Sequence, residues 1–262
     1  MEPFQPSVRT EGGLAVPPLW KMFDGPRDKR LFLRNSLEVL ELYKRYGGIR
    51  SDSKMLDIGS GLGRKTLALT GFIGPDGHYN GVDITREGID WCNKNISSKY
   101  PNFQFTHLDV FNARYNRAAT VAASEYRFSF ADETFDLITA WSVFTHMLPA
   151  DVRNYLRETC RMLKPNGRCM FSFYVMTDDA FEAVRNGIAT EKIEYELADG
   201  LFTDNKNVPE DLTAFRESWI RAEYAACGLA VDEVLFGSWR GDGRQRSFPM
   251  SNYQDIVVAR RA

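Results

Sequence analysis

The chain has 262 residues, 44% of them hydrophobic and 26% charged, with a formal net charge of -2. That is the balance of a soluble globular protein, and it gives no general attraction to nucleic acid or to an anionic membrane. The opening MEPFQPSVRTEGG lacks the basic and apolar regions of a secretory leader, no apolar run reaches bilayer length, and Cys92, Cys160, Cys169 and Cys227 show no CxxC or zinc-ligand spacing, so free thiols in a reducing cytoplasm are expected.

Residues 1–27 carry Pro3, Pro6, Pro17, Pro18 and Pro26 and read as an irregular arm. Over 28–46, Leu33, Leu37, Leu40 and Tyr43 recur at helical spacing, and Gly47-Gly48 stops the helix. Strands and helices then alternate: a strand over 54–58, a helix over 62–72, a strand over 78–83, a helix over 86–99 ended by Tyr100-Pro101, and a strand over 103–108. A polar connection over 109–133 leads to a strand over 135–141, a helix over 151–163 and, past Pro165-Asn166-Gly167, a strand over 168–175. Residues 176–208 read as irregular; a helix over 210–227 and two strands, 229–237 and 255–259, follow. The expected fold is α/β: a doubly wound, mostly parallel sheet with helices on both faces and an antiparallel C-terminal strand pair. A single domain over 28–262 is expected, with the arm, the 109–133 connection and 176–253 covering a site.

MLDIGSGLGRKTLAL, residues 55–69, joins the first strand to the segment after it. Glycines in such a turn let a ligand approach the backbone closely. The third glycine comes one residue earlier than in the dinucleotide fingerprint, and an acid, Asp57, stands two residues before the first. Asp83 ends the second strand and Asp109 follows the third. Ligands of open parallel sheets lie along the carboxyl edge of the strands. Three acids there do not suit a pyrophosphate. They suit a ligand with a cationic amino-acid part, a ribose and an adenine. A nicotinamide-dependent oxidoreductase predicts a later third glycine and a neutral position before the first. A binding-only protein with this fold is the other alternative.

LDIGSGLGR, GVDIT, the acid of HLDV, FDLITAWSVFTHM and LKPNGRCMFSF, in this order over roughly residues 30–175, resemble the class I S-adenosylmethionine-dependent methyltransferases. The resemblance implies a Rossmann-like methyltransferase fold with S-adenosylmethionine as cofactor. It places Gly59, Gly61 and Gly63 against the methionine part, counts Ser60 and Arg64 in the same site, and gives Asp57 the task of orienting that loop or the ammonium group. Asp83, with Ile84 beside it, would hold the ribose hydroxyls. Asp109 would read the adenine amino group, Val110 would flank the ring, and Trp141 or Ser142 would lie near the methionine end.

Methyl transfer from a sulfonium is an in-line displacement, and an alcohol acceptor profits from a base. His146, just past the fourth strand, is the first candidate, because histidine titrates near working pH. Tyr174, Asp178 and Asp179 follow the fifth strand and are further candidates. His78 reads as a surface residue and His107 as a packing or locally bonded one. AWSV stands where DNA amino-methyltransferases carry an Asn/Asp-Pro-Pro-aromatic motif, and no Pro-Cys nucleophile is there, so a DNA partner is not expected. SVFTHM, GSWRG and YQDIVVARR look like a bacterial subgroup that methylates hydroxyls of small molecules, sugars or glycans, with N, S, RNA and protein acceptors as the alternative. Arg240, Arg244 and Arg246 would then bind an anionic acceptor or form a solvated loop. Mg²⁺ stays open as an addition at the rim, with no ligand pattern behind it. Oligomeric state is not legible.

Overall fold

A computed structural model describes residues 16–22, 25, 27–112, 116–241, 243 and 252–262. Most of the arm, with Arg244 and Arg246, lies outside the described residues. The chain divides into two compact units, Met1–Leu108 and Asp109–Ala262.

In the first unit, α1 (Lys29–Leu42) starts where the Asp28 carboxylate accepts from the amides of Arg30 and Leu31 at 2.7 and 2.9 Å. That satisfies two of the amides a helix start leaves unpaired. A π-turn over Tyr43–Gly47 ends at Gly48, whose φ of 64° makes the stop. Three strands follow, β1 (Lys54–Ile58), β2 (His78–Asp83) and β3 (Phe103–His107), with α2 (Arg86–Cys92) between the last two. They lie in the order β1, β2, β3, with parallel pairing throughout. Buried Tyr79 stacks on Phe103 at 5.3 Å.

One expectation fails here. Residues 62–72 do not form an α-helix; turns lead into a 3-10 stretch, Leu67–Gly71. Thr66 donates to the carbonyl of Gly63, three residues back, and Leu69 to that of Thr66. The positive φ angles at Gly59, Gly61 and Gly63 keep the entry out of helical geometry. The helix expected over 86–99 is shorter, its last part a π-turn over Asn93–Ser97.

The second unit carries β4 (Phe135–Ala140), α3 (Pro149–Met162) and β5 (Leu163–Phe173). The 109–133 connection is tied to α3 by Arg161, which donates to the Phe128 and Phe130 carbonyls and to Asp132. After β5 the chain builds what the sequence reading left irregular: β6 (Val175–Met176), α4 (Asp178–Arg185), β7 (Tyr195–Glu196) and β8 (Leu201–Thr203). The helix expected over 210–227 is in fact a strand, β9 (Thr213–Arg216), followed by α5 (Glu217–Ala226). Residues 213–216 are claimed by pairing: Ala214 faces Phe202 and Phe215 faces Leu201, both in β8. The four short strands form a small sheet in the order β6, β9, β8, β7. Its own core contains Met176, Ala180, Val184, Ile193, Phe202, Ala214 and Trp239.

The chain closes with β10 (Leu229–Leu235) and β11 (Asp255–Arg261). Here β4 and β5 are parallel, whereas β11 runs antiparallel to both β5 and β10. The expected class holds: α/β, mostly parallel, with an antiparallel C-terminal pair. All four cysteines are unbridged. Among the described residues no helix is long and apolar enough to cross a membrane.

Candidate active site

In the first unit β1 delivers Asp57, buried at its penultimate position. Its Oδ2 accepts a 2.7 Å hydrogen bond from Tyr79 Oη, which itself accepts from Thr66 Oγ1 at 2.8 Å. Burial, reinforced by the Asp57 charge, pushes the Tyr79 phenol well above its ordinary range, so it stays a donor. The loop then turns on Gly59, Gly61 and Gly63, with φ of 79°, 52° and 73°. The amides of Gly59 and Ser60 donate to the Val82 carbonyl, and a Cβ on Gly88 would come within 2.8 Å of the Gly61 carbonyl oxygen. The start of α2 thus sits directly on the loop.

Asp83 braces the same loop from β2. Oδ2 accepts from the Gly61 amide at 2.8 Å, while Oδ1 accepts from the Thr85 amide and hydroxyl at 2.7 and 2.6 Å. A carboxylate oxygen takes about two such bonds, so Oδ2 retains room for a hydroxyl donor. Ser60 Oγ is buried with no hydrogen-bond partner. Such a group costs free energy unless something meets it. Ile84 is half-buried, and its carbonyl lies 3.1 Å from His107 Nε2. With Nδ1 of His107 beside Arg86 at 3.2 Å, this histidine makes local bonds, as its strand position suggested. Arg64 is buried, its guanidinium 4.6 Å from the Phe32 ring centre. His78 is exposed.

In the second unit Asp109 is exposed and Val110 buried in a bridge with Val121. Trp141 is half-buried, directly past β4. Ser142 has φ 56°, an uncommon value for a residue with a Cβ. Its amide donates to Ser172 Oγ at 2.7 Å, and both serine hydroxyls donate to Gln254 Oε1. The amide nitrogen of Gln254 reaches Tyr174 Oη at 3.5 Å, and Tyr174 reaches Glu191 at 3.4 Å. Tyr253 also donates to Glu191. Because Asp255 pairs with Phe173 in register, this network runs along the carboxyl end of β5. Burial pushes the Tyr174 phenol up, making it a donor rather than a base.

His146 ends a 3-10 turn, Phe144–His146, and its Nδ1 lies 3.1 Å from the Glu210 carbonyl. Neighbouring Thr145 has a buried hydroxyl with no partner. Asp178 and Asp179 are exposed on the first turn of α4, with Asp178 3.6 Å from Arg216. Arg240 is neither an anion-binding arm nor part of a solvated loop: it is buried, donates to Thr177 Oγ1 at 2.6 Å, and lies over the Phe236 ring. Beside it, buried Asp255 accepts from the amides of Val175 and Gly237 and from Trp239 Nε1. Burial pushes the Asp255 carboxyl up to about 7.

Sequence reasoning missed Tyr79, Glu191, Tyr253, Gln254 and Asp255. A signal existed for Tyr79, since a phenol inside a buried strand needs a partner, and Tyr253, Gln254 and Asp255 stood in the YQDIVVARR block without being given roles. Among the described residues no three His, Cys, Asp or Glu side chains gather as a metal site.

A family model described as a methyltransferase domain matches residues 49–213. The arsenite methyltransferase of Aquipseudomonas alcaligenes is 33% identical over 119 residues, 45% of this chain and 32% of that protein. The phosphoethanolamine N-methyltransferase of Plasmodium falciparum is 28% identical over 196 residues, 71% of this chain and 66% of that protein. The first curated relatives are matched over 30–52% of their own length. A crystal structure of a SAM dependent methyltransferase from Aquifex aeolicus shares the fold with TM-score 0.55 at 18% identity, over 95% of this chain and all of that one. A Pyrococcus horikoshii protein does so with TM-score 0.59 at 17% identity, over 94% and 97%. The fold is that of the class I S-adenosylmethionine-dependent methyltransferases. The chain belongs to the methyltransferase-domain family, whose cofactor is S-adenosylmethionine. The residues fit that group: the loop has three left-handed glycines, Ser60 brings an unpartnered buried hydroxyl, and Asp83 keeps acceptor capacity.

Proposed function

We propose that the chain transfers a methyl group from S-adenosylmethionine to a hydroxyl of a small molecule or glycan. The observation that carries this reading is the edge beyond β4 and β5, where Ser142, Ser172, Tyr174 and Gln254 join hydroxyls and an amide in one network that ends on the Glu191 carboxylate. Ser172 and Tyr174 are buried, while exposed Ser142 and half-buried Gln254 present polar atoms suited to an acceptor rich in hydroxyls. No DNA or membrane partner is called for, and the cytoplasm is the proposed location.

The cofactor supplies an electrophilic methyl carbon on a sulfonium. In the first unit Gly59, Gly61, Gly63 and Ser60 would hold its methionine part, Asp57 would face the ammonium, and Asp83 with Ile84 would take the ribose. By the family resemblance Asp109 and Val110 would be assigned to the adenine, and Trp141 and Ser142 to the methyl end. The acceptor proton goes to His146. Donation from Nδ1–H to the Glu210 carbonyl sets the tautomer in which Nε2 carries the basic lone pair. A base so placed contributes about 10²–10⁴-fold.

The relatives act, by name, on arsenite and phosphoethanolamine. A thiol-held acceptor has less support: Cys160 is in the last turn of α3, Cys227 follows α5, and Cys169 is inside β5. None of these three stands at the carboxyl ends of β4 and β5, and Cys92, in α2, is buried with its thiol 3.6 Å from the Gly61 carbonyl.

The test is a screen of sugars, phenols and hydroxy acids, followed by kinetics of His146→Ala and His146→Asn. Turnover should fall about 100-fold or more while cofactor affinity is kept, and the acid limb of the rate profile should vanish. Unchanged turnover with a raised KM would make His146 a substrate-binding residue. A screen in which only amines or thiols react would replace the hydroxyl reading.

A further inference from the structure

We propose that Tyr79 is a positioning residue that makes the loop selective for the amino-acid end of the cofactor, acting through Asp57. The inference rests on the reading that Asp57 faces the ammonium group. Three observations carry it. The direction of the hydrogen bonds is set: Thr66 Oγ1 donates to Tyr79 Oη, so the phenol proton is committed to Asp57 Oδ2. The ring cannot swing away, because it is fully buried, stacked on Phe103 at 5.3 Å and tilted against Phe105 at 5.6 Å. The far end of the relay belongs to the loop itself, since the Thr66 amide donates to the Gly63 carbonyl at 3.1 Å.

A carboxylate on a short side chain has one torsion that aims its two oxygens. Holding Oδ2 fixes the direction of Oδ1 as well. Packing alone does not ask for the phenol oxygen, because phenylalanine fills the same ring volume without burying a polar atom. The hydroxyl therefore serves the carboxylate. Tyr79 touches no ligand in this account; it fixes the group that does.

The test compares two probes by calorimetry: S-adenosylhomocysteine, and 5′-methylthioadenosine, which keeps adenine and ribose but has no amino-acid part. Tyr79→Phe should bind S-adenosylhomocysteine about tenfold more weakly, as for one hydrogen bond to a charged group, and methylthioadenosine as the parent does. Thr66→Val, which leaves the ring in place, should show the same selectivity with a smaller loss, and it serves if Tyr79→Phe fails to fold. A lowered melting temperature with the affinity ratio of the two probes unchanged would make the relay merely structural and overturn the proposal. Equal weakening of both probes would overturn it too, by assigning Tyr79 to the shape of the whole loop. A parent that binds methylthioadenosine but not S-adenosylhomocysteine refutes the ammonium reading of Asp57 and the inference with it; a parent that binds neither refutes the cofactor assignment itself.

Discussion

The loop after β1 and the edge beyond β5 are both lined with polar groups, but they are built in opposite ways. The loop is made of backbone. Its shape comes from three left-handed glycines, and its acids are held by amides and one buried phenol. The β5 edge is made of side chains, where one amide, Gln254, gathers two hydroxyls and approaches a third. A backbone site changes only if the chain path changes, so it suits a ligand that stays the same. A side-chain site can be rewritten one residue at a time, so it suits an acceptor that differs between relatives.

That contrast breaks most sharply at Gly61. A valine at φ 52° is strained and forces the backbone of the loop off its path. Calorimetry should show S-adenosylhomocysteine affinity lost by ~100-fold or more with the variant still folded. Normal binding would mean that the loop is not the cofactor site. Asp83→Ala comes next. It removes the acceptor of the Gly61 amide along with any ribose contact, and should cost roughly 10–100-fold in affinity. An unchanged dissociation constant would leave Asp83 as a brace alone.

Gln254→Ala probes the other region. Two hydroxyl bonds and the contact to Tyr174 go, so melting should drop as for ~1–2 kcal/mol while S-adenosylhomocysteine affinity stays within about twofold. A large loss of cofactor affinity would instead make Gln254 a support of the cofactor through Ser142. The smallest effect is read in pH alone. The Asp255 carboxyl is raised to about 7, above its unfolded value of about 3.9, so the folded chain holds a proton that the unfolded chain has released. Stability from this group is present below about pH 4 and lost as pH rises to about 7. The melting temperature of the parent should fall across that window relative to Asp255→Asn; parallel profiles would show that Asp255 does not titrate there.

The same contrast explains what could be read in advance. Asp57, the glycines and Asp83 lie close together in sequence and follow the rules of strand ends and tight turns, so the pattern was legible. Even there the helix over 62–72 was misread, because apolar spacing at Leu67 and Leu69 does not reveal that the left-handed glycines before them force 3-10 bonding. At the other region Ser142 meets Gln254 across 112 positions, and no local pattern announces such a meeting. The strand at 213–216 was hidden for a related reason: its partners in β8 lie in a stretch whose own signal is weak.

Asp255 has a consequence for how such a chain can diversify. Its two oxygens collect the Val175 amide, where the chain has just left β5, and the Gly237 amide, where it has just left β10. Between those two points lie the small sheet, α5 and β10, so one side chain at the start of β11 ties the place where the chain leaves β5 to the place where it has come back through β10. Insertions, deletions or exchanges between β6 and β9, ahead of α5 and β10, leave that closure in place as long as the two amides return to it. New architecture can therefore be grafted there without renegotiating the register of β11 against β5.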